Sequence, residues 1–78
     1  MAVFRGECGS VLIEIFEVDH GPAHCHVSGL PGGAKARVSL LTLEVTKPPG
    51  MKLPRPVAKF LKLHQEDMLE AWERVVSI

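Results

Sequence analysis

The sequence predicts an α+β fold in which a small antiparallel sheet of three to four strands is covered by one long C-terminal helix. Two observations support this prediction. Residues 10–47 hold β-branched or alternating apolar and polar runs that are separated by Gly and Pro. Residues 54–76 repeat apolar side chains at intervals of three and four, the period of an amphipathic helix. With 78 residues and 46% hydrophobic content, the chain is predicted to form a single domain over residues 1–78.

The first two predicted strands flank a turn. Residues 10–18 (SVLIEIFEV) are dominated by β-branched and aromatic side chains, which indicates a central strand. Gly21-Pro22 ends this strand, because proline has no N–H to donate to a neighbouring strand. Residues 24–28 then predict a short second strand, and the Gly-rich stretch 29–33 predicts a loop.

A third strand and a turn follow. Residues 34–40 alternate between apolar and polar, as a half-buried strand does. The apolar parity changes after residue 40, and an unbroken strand cannot change faces. We therefore predict a turn at residues 41–43 and a fourth strand at residues 44–47.

Proline at position 54 or 56 is suited to the first turn of a helix, where a missing N–H costs no hydrogen bond. The predicted helix covers residues 54–76. Its apolar stripe is spaced by four, three, four, three and four residues, and it must face the sheet. The members of the stripe are Val57, Leu61, His64, Met68, Ala71 and Val75.

The chain is short enough that a metal, a disulfide or a partner chain would assist its stability. It has only two cysteines, Cys8 and Cys25, and residues 1–7 contain no apolar leader segment. We therefore expect a cytoplasmic protein with two free thiols. No apolar run approaches the length of a membrane span, so no membrane association is expected.

Three of the four histidines lie in residues 19–27, which read D-H-G-P-A-H-C-H-V. His24 and His26 are two residues apart on a predicted strand, so their side chains leave the same face. His20 precedes the turn and can fold back toward them. His64 belongs to the helix stripe that faces the sheet. If the helix covers the sheet face that carries His24 and His26, all four imidazoles converge.

Three interpretations of this cluster stay open. Neutral imidazole is a preferred ligand of zinc, so His20, His24, His26 and His64 are candidate ligands for a divalent transition metal, with Asp19 holding a ring N–H from outside. Histidine also titrates near neutral pH, so His24, His26 and His64 are candidate catalytic groups. In the third interpretation there is no cofactor, and the histidines stabilise the turn by bonding backbone carbonyls.

The net charge of zero does not predict a nucleic-acid-binding protein. Residues 47–62 nevertheless carry only basic charges. Within them Lys52, Arg55 and Lys59 crowd the predicted helix start, where free N–H groups favour phosphate or carboxylate. These three residues are the candidate anion-binding site, and the alternative is a solvated basic face without a ligand. Nucleic acid therefore has only local support as a partner.

The chain resembles a bacterial family, the domain of unknown function numbered 4160. Residues 19–26 (DHGPAHCH) are similar to its D-H-x-P-P-H-F-H signature, and residues 53–55 (LPR) to its L-P-x-R helix entry. His64, Leu69 and Trp72 match its W-x-x-x-H-x-x-E-L-x-x-x-W helix. The chain departs from the family at the second proline, the aromatic between histidines and the glycine of a strand turn, which are Ala23, Cys25 and Leu43 here. The first helix tryptophan is also replaced, near residues 60–61.

The resemblance implies a small bacterial protein that is encoded beside another small protein of unknown function in a toxin–antitoxin-like pair, and it implies no established reaction. The leading hypothesis is therefore a binding or regulatory module that acts through a protein partner, a homodimer included, because a short sheet leaves edges to cover. The competing hypotheses are a histidine-centred or metal-dependent phosphodiester hydrolase (nuclease) and a zinc-stabilised structural domain.

Overall fold

The computed structural model describes residues 2–77 and has seven strands and two α-helices within them. The strands are β1 (Ala2–Cys8), β2 (Val11–Phe16), β3 (Val18–Asp19), β4 (His24–Leu30), β5 (Ala34–Ser39), β6 (Val45–Lys47) and β7 (Val76–Ser77). The helices are α1 (Arg55–Leu63) and α2 (Gln65–Trp72), and a 3₁₀ turn covers Pro31–Gly33. The α+β class is confirmed.

The main sheet is antiparallel and has five strands in the order β1-β2-β4-β5-β6. Three to four strands were predicted, and the additional one is β1. Its sequence, AVFRGEC, mixes charges and a glycine into the apolar positions, so it has no clean two-residue alternation. The predicted strand bounds for the other four lie within two residues of those observed.

The predicted single helix is wrong. The chain leaves helical geometry at His64, where φ is −103° and ψ is 10°. The N–H of His64 still donates to the carbonyl of Phe60 (3.0 Å), and the N–H of Met68 donates to the carbonyl of His64 (2.9 Å). Because the break takes only one residue, the apolar spacing continues across it, and periodicity alone could not reveal it. The helical segment also ends at Trp72 instead of residue 76.

The predicted turn at residues 41–43 is confirmed. The side-chain oxygen of Ser39 accepts hydrogen bonds from the N–H groups of Leu41 (3.2 Å) and Thr42 (3.3 Å). Leu43 has φ of +61°, in the left-handed region that favours glycine.

The sheet has one apolar and one polar face. The helices cover the apolar face, and alternate residues of β2 and β4, such as Ile13 and Val27, meet them there. The buried core consists of Val11, Ile13, Ile15, Cys25, Val27, Leu30, Ala36, Val38, Leu40, Val57, Leu61, Met68 and Ala71. Both cysteines are free, Cys25 buried in this core and Cys8 partly exposed.

The polar face carries a row of side chains that crosses the sheet. Arg5 pairs with Glu14, Glu14 with His26, His26 with Arg37, and Arg37 with Lys47. Directly opposed residues of neighbouring strands project from the same face. We call these five residues the open-face row, because the helices lie on the other side.

A second, parallel pairing joins β3 to β7, with Val18 opposite Val76 and Asp19 opposite Ser77. The N–H of Val76 donates to the carbonyl of Glu17 at 2.7 Å. The C-terminal strand therefore fixes the backbone of the segment that carries Asp19. Across residues 2–77, no helix has the length and apolar character that crossing a bilayer requires.

Candidate metal centre

The carboxylate of Asp19 lies at the centre of the histidine cluster. Its Oδ2 atom is 3.0 Å from Nε2 of His26 and 3.2 Å from Nε2 of His24. One ligand atom from each of these three residues lies within 4.8 Å of the other two. Only 9% of Asp19 and 4% of His24 are exposed to solvent. The connection between β3 and β4, which contains Gly21-Pro22, folds the aspartate back over the start of β4 and so builds the group.

The two ring nitrogens of His24 have different surroundings. Nδ1 lies 2.8 Å from the carbonyl of Pro22, and since a carbonyl only accepts, Nδ1 carries a proton. Nε2 is fully buried and has no hydrogen-bond partner within residues 2–77. Its 3.2 Å approach to Asp19 therefore lacks hydrogen-bond geometry. In neutral His24 this atom presents a lone pair to a carboxylate, an arrangement that a cation bound by both would stabilise.

His26 closes the site toward the open face of the sheet. Its Nε2 forms a 3.0 Å hydrogen bond with Oδ2 of Asp19, and its side chain is 30% exposed. Its ring packs against Phe16, with centroids 4.7 Å apart, and against His24 at 4.9 Å. His24 in turn packs against Trp72 at 5.1 Å. These contacts fix both imidazole rings, so little side-chain entropy would be lost on binding a ligand.

Asp19 is prepared to act as an anion. Burial by itself raises the pKa of its carboxyl group. The hydrogen bonds from His26 and from the backbone N–H of His20, together with electrostatic attraction to His24 and His26, lower this pKa by more than burial raises it. The net result is a pKa below the ordinary value of 3.8. The carboxylate is therefore ionised at neutral pH, as a metal ligand must be. Asp19 was predicted to hold a ring from outside the ligand set, and the structure places its oxygen among the candidate ligand atoms.

His20 lies beside the group formed by Asp19, His24 and His26, whereas His64 lies outside it. The N–H of His20 donates to Oδ1 of Asp19 at 2.8 Å, and its ring lies 3.5 Å from the same oxygen and is 60% exposed. His64 lies at the junction of α1 and α2, where its ring packs against Phe60 at 4.3 Å and is 6.4 Å from the ring of Phe4. The structure does not bring His64 into the group of ligand atoms within 4.8 Å.

The position of His64 follows from the faces of β4. Cys25 and Val27 belong to the core that the helices cover, so the condition under which all four imidazoles would converge is not met. A residue on the helix stripe meets the side of the sheet opposite to His26. The sequence contained the signal: the apolar residues Cys25 and Val27 mark the covered face.

The predicted anion-binding residues do not line one shared cavity. Lys59 lines a shallow groove of about 580 Å³ with Lys62, Glu66 and Asp67, whose acidic side chains offset the positive charge. Lys52 lines separate hollows beside Met51 and Leu53. Arg55 is exposed as the first residue of α1. An anion-binding role for Lys52, Arg55 and Lys59 stays a prediction.

The sequence profile of the Domain of unknown function (DUF4160) family matches residues 11–73, well over half of the chain. The chain belongs to the DUF4160 family. The resemblance noted from the histidine motif is thus confirmed. The DUF4160 match contains the three candidate ligands and both helices, and β1 lies before it. No curated protein and no solved structure matches the chain.

Proposed function

We propose that this DUF4160 protein binds a divalent transition metal ion through Asp19, His24 and His26. The observation that supports the proposal is the buried Nε2 of His24, which faces the carboxylate of Asp19 without a hydrogen bond. The proton on Nδ1, directed at a backbone carbonyl, is the usual arrangement behind a metal-binding histidine. Two imidazoles and one carboxylate suit zinc, and they also suit ferrous iron.

Three protein ligands leave at least one coordination position for water or a substrate, which is typical of catalytic and not of structural zinc. The exposed side of His26 offers that position toward the open face. His20 is the alternative fourth ligand, since its exposed ring lies beside Asp19. Occupation by His20 would favour a zinc-stabilised structural domain instead of an enzyme.

Metal binding and the hydrogen bond from His26 to Asp19 exclude each other at Nε2, because that atom cannot hold both a proton and a metal. Metal binding at this atom would therefore require neutral His26 to carry its ring proton on Nδ1 instead. The alternative is a metal-free network in which Asp19 is held only by the hydrogen bonds from His26 and from the backbone N–H of His20. The two states predict opposite results in a metal assay.

The test uses the untagged protein, because a histidine tag would itself bind metal. After dialysis against zinc, nickel or ferrous iron, we expect about one equivalent of metal per chain. His24→Ala and Asp19→Asn should lose it, while His64→Gln serves as the matched histidine control and should retain it. Well under one equivalent in the folded wild-type protein, with no rise in melting temperature on adding metal, would contradict the proposal.

The other hypotheses from the sequence stay predictions. They include a protein partner or a homodimer, a toxin–antitoxin-like pairing and a cytoplasmic location. Val18 and Val76, which are neighbours on β3 and β7, are 50% and 60% exposed, and this supports a contact surface there. Light scattering on the purified protein would decide between a monomer and a homodimer.

A further inference from the structure

The open-face row places acidic, imidazole and basic side chains at or next to the proposed metal site. Glu14, His26, Arg37 and Lys47 are consecutive cross-strand partners on β2, β4, β5 and β6. Lys35 lies two residues before Arg37 on β5, so it projects from the same face. The cationic half of the row therefore begins directly beside His26.

Two hollows on this face share the same two cations. The larger is a groove of about 420 Å³ whose lining includes Phe16, His26, Lys35, Arg37 and Lys47. The smaller, of about 340 Å³, has a lining that includes His20 and His24 as well as Arg37 and Lys47. Arg37 and Lys47 thus line both hollows, and histidines of the cluster line each of them.

The charges on this face are unbalanced. Lys35, Arg37 and Lys47 line the groove against the single carboxylate of Glu14. None of the three cations forms an ion pair within the part of the chain that the structure describes. Arg37 and Lys47 are directly opposed like charges on neighbouring strands, which is destabilising by itself. An anion bound between them would remove that repulsion.

We infer that this groove binds the phosphate group of a nucleotide, held by Arg37 and Lys47. A guanidinium group binds two phosphate oxygens at once, and the lysine adds a second positive charge. The ring of Phe16, which is 36% exposed, lines the same groove and offers a surface on which a base can stack.

The experiment titrates 5′-AMP, adenosine and inorganic phosphate into the purified protein and follows binding by calorimetry and amide NMR. It is done once with metal-free protein and once with zinc-loaded protein from which free zinc has been removed. We expect AMP to bind more tightly than adenosine or phosphate, and its shifts to cluster on β4, β5 and β6. Arg37→Met or Lys47→Met should weaken AMP binding by about tenfold or more and leave the zinc stoichiometry unchanged. Lys62→Met, a surface lysine of α1, is the matched control and should bind AMP as the wild type does.

A second pair of measurements separates the base from the phosphate. Phe16→Leu should weaken AMP binding severalfold without changing the affinity for inorganic phosphate. Raising the salt concentration should weaken AMP binding in the wild type, and less so in Arg37→Met. A short single-stranded RNA that binds more tightly than AMP, with the same dependence on Arg37, would identify a polymer as the source of the phosphate.

The outcomes distinguish this inference from the metal proposal. If the folded protein binds zinc but shows no AMP binding, or if Lys62→Met loses as much affinity as Arg37→Met, the inference is overturned and the metal proposal stands. If AMP binds through Arg37 while zinc does not bind, the metal proposal fails and the inference stands. Equal affinity for AMP and inorganic phosphate would overturn the nucleotide assignment.

Discussion

The two faces of the main sheet are formed by alternate residues of the same strands, yet their surroundings are opposite. On β4, Cys25 and Val27 are at most 1% exposed and pack beneath the helices, while the neighbouring His26 side chain is 30% exposed and adjoins the open groove. Burial of apolar area on the covered face stabilises the fold. Within residues 2–77, the open face carries Lys35, Arg37 and Lys47 without ion pairs, next to the imidazole of His26.

The thiol of Cys25 tests how completely the covered face is buried. Burial raises the pKa of its thiol from 9.0 to about 12, which lowers its reactive thiolate fraction by about a thousandfold. We expect a thiol reagent such as DTNB, near pH 8, to modify the partly exposed Cys8 and to leave Cys25 unmodified until guanidinium chloride unfolds the protein. Rapid labelling of both thiols in the native protein would show that the core around Cys25 is open to solvent.

Truncation of Ile13 or Leu12 on β2 compares the covered face of the sheet with the open face. Ile13 is fully buried on the covered face, so Ile13→Ala should reduce the free energy of unfolding by about 2–5 kcal/mol. Leu12 lies half-buried on the other face, and Leu12→Ala should cost roughly 1 kcal/mol. Urea denaturation measures both values. Equal losses would mean that the two faces are packed alike.

Zinc should stabilise the protein through the three proposed ligands, and the buried His24 is the ligand tested here. At a free zinc concentration of about one hundred times its Kd, one bound ion adds about 2.7 kcal/mol of stability. We expect this gain in the wild type and in His64→Ala, but not in His24→Ala, when melting temperatures are measured with zinc and with a chelator. A gain that depends on His64 instead would place the site at the junction of α1 and α2.

Asp19→Asn should show a smaller effect that depends on pH. Because the pKa of Asp19 in the folded protein lies below 3.8, its ionised form contributes stability above that value and loses it as the pH falls through the lower folded pKa. We expect Asp19→Asn to lose about 1–3 kcal/mol at neutral pH without metal, and the difference to narrow in acid. Asp67→Asn is the control, since the Asp67 side chain is 71% exposed, and should stay within about 0.5 kcal/mol. Unfolding curves at several pH values test this, and a constant difference between Asp19→Asn and wild type would contradict it.

The sequence was sufficient for most of the sheet because its strands are either rich in β-branched residues or alternate between apolar and polar, and glycines or prolines separate several of them. It was insufficient for β1, where Arg5, Gly6 and Glu7 interrupt the pattern. It also missed the break at His64, since the hydrogen bonds around that residue continue almost unchanged. The spacing of apolar residues indicates which residues form one helix or strand, but a one-residue irregularity does not change that spacing.

The candidate site was predicted in part, for a related reason. The spacing of His24 and His26 located the cluster, but only the fold shows that Asp19 turns inward between them. The row through His26, Arg37 and Lys47 depends on strand register, which no single strand encodes. The two-residue spacing of Lys35 and Arg37 was the one local sign that both cations share a face.

The pairing of β3 with β7 makes the candidate metal centre depend on the far end of the sequence. Val76 and Ser77 hold the backbone on which Asp19 sits, although nearly sixty residues separate the two segments. A proteolytic cut just after Arg74 would remove β7, and with it the backbone pairing of the segment that supplies the carboxylate. Under the metal proposal, occupancy of the site would then change without any alteration among the histidines themselves.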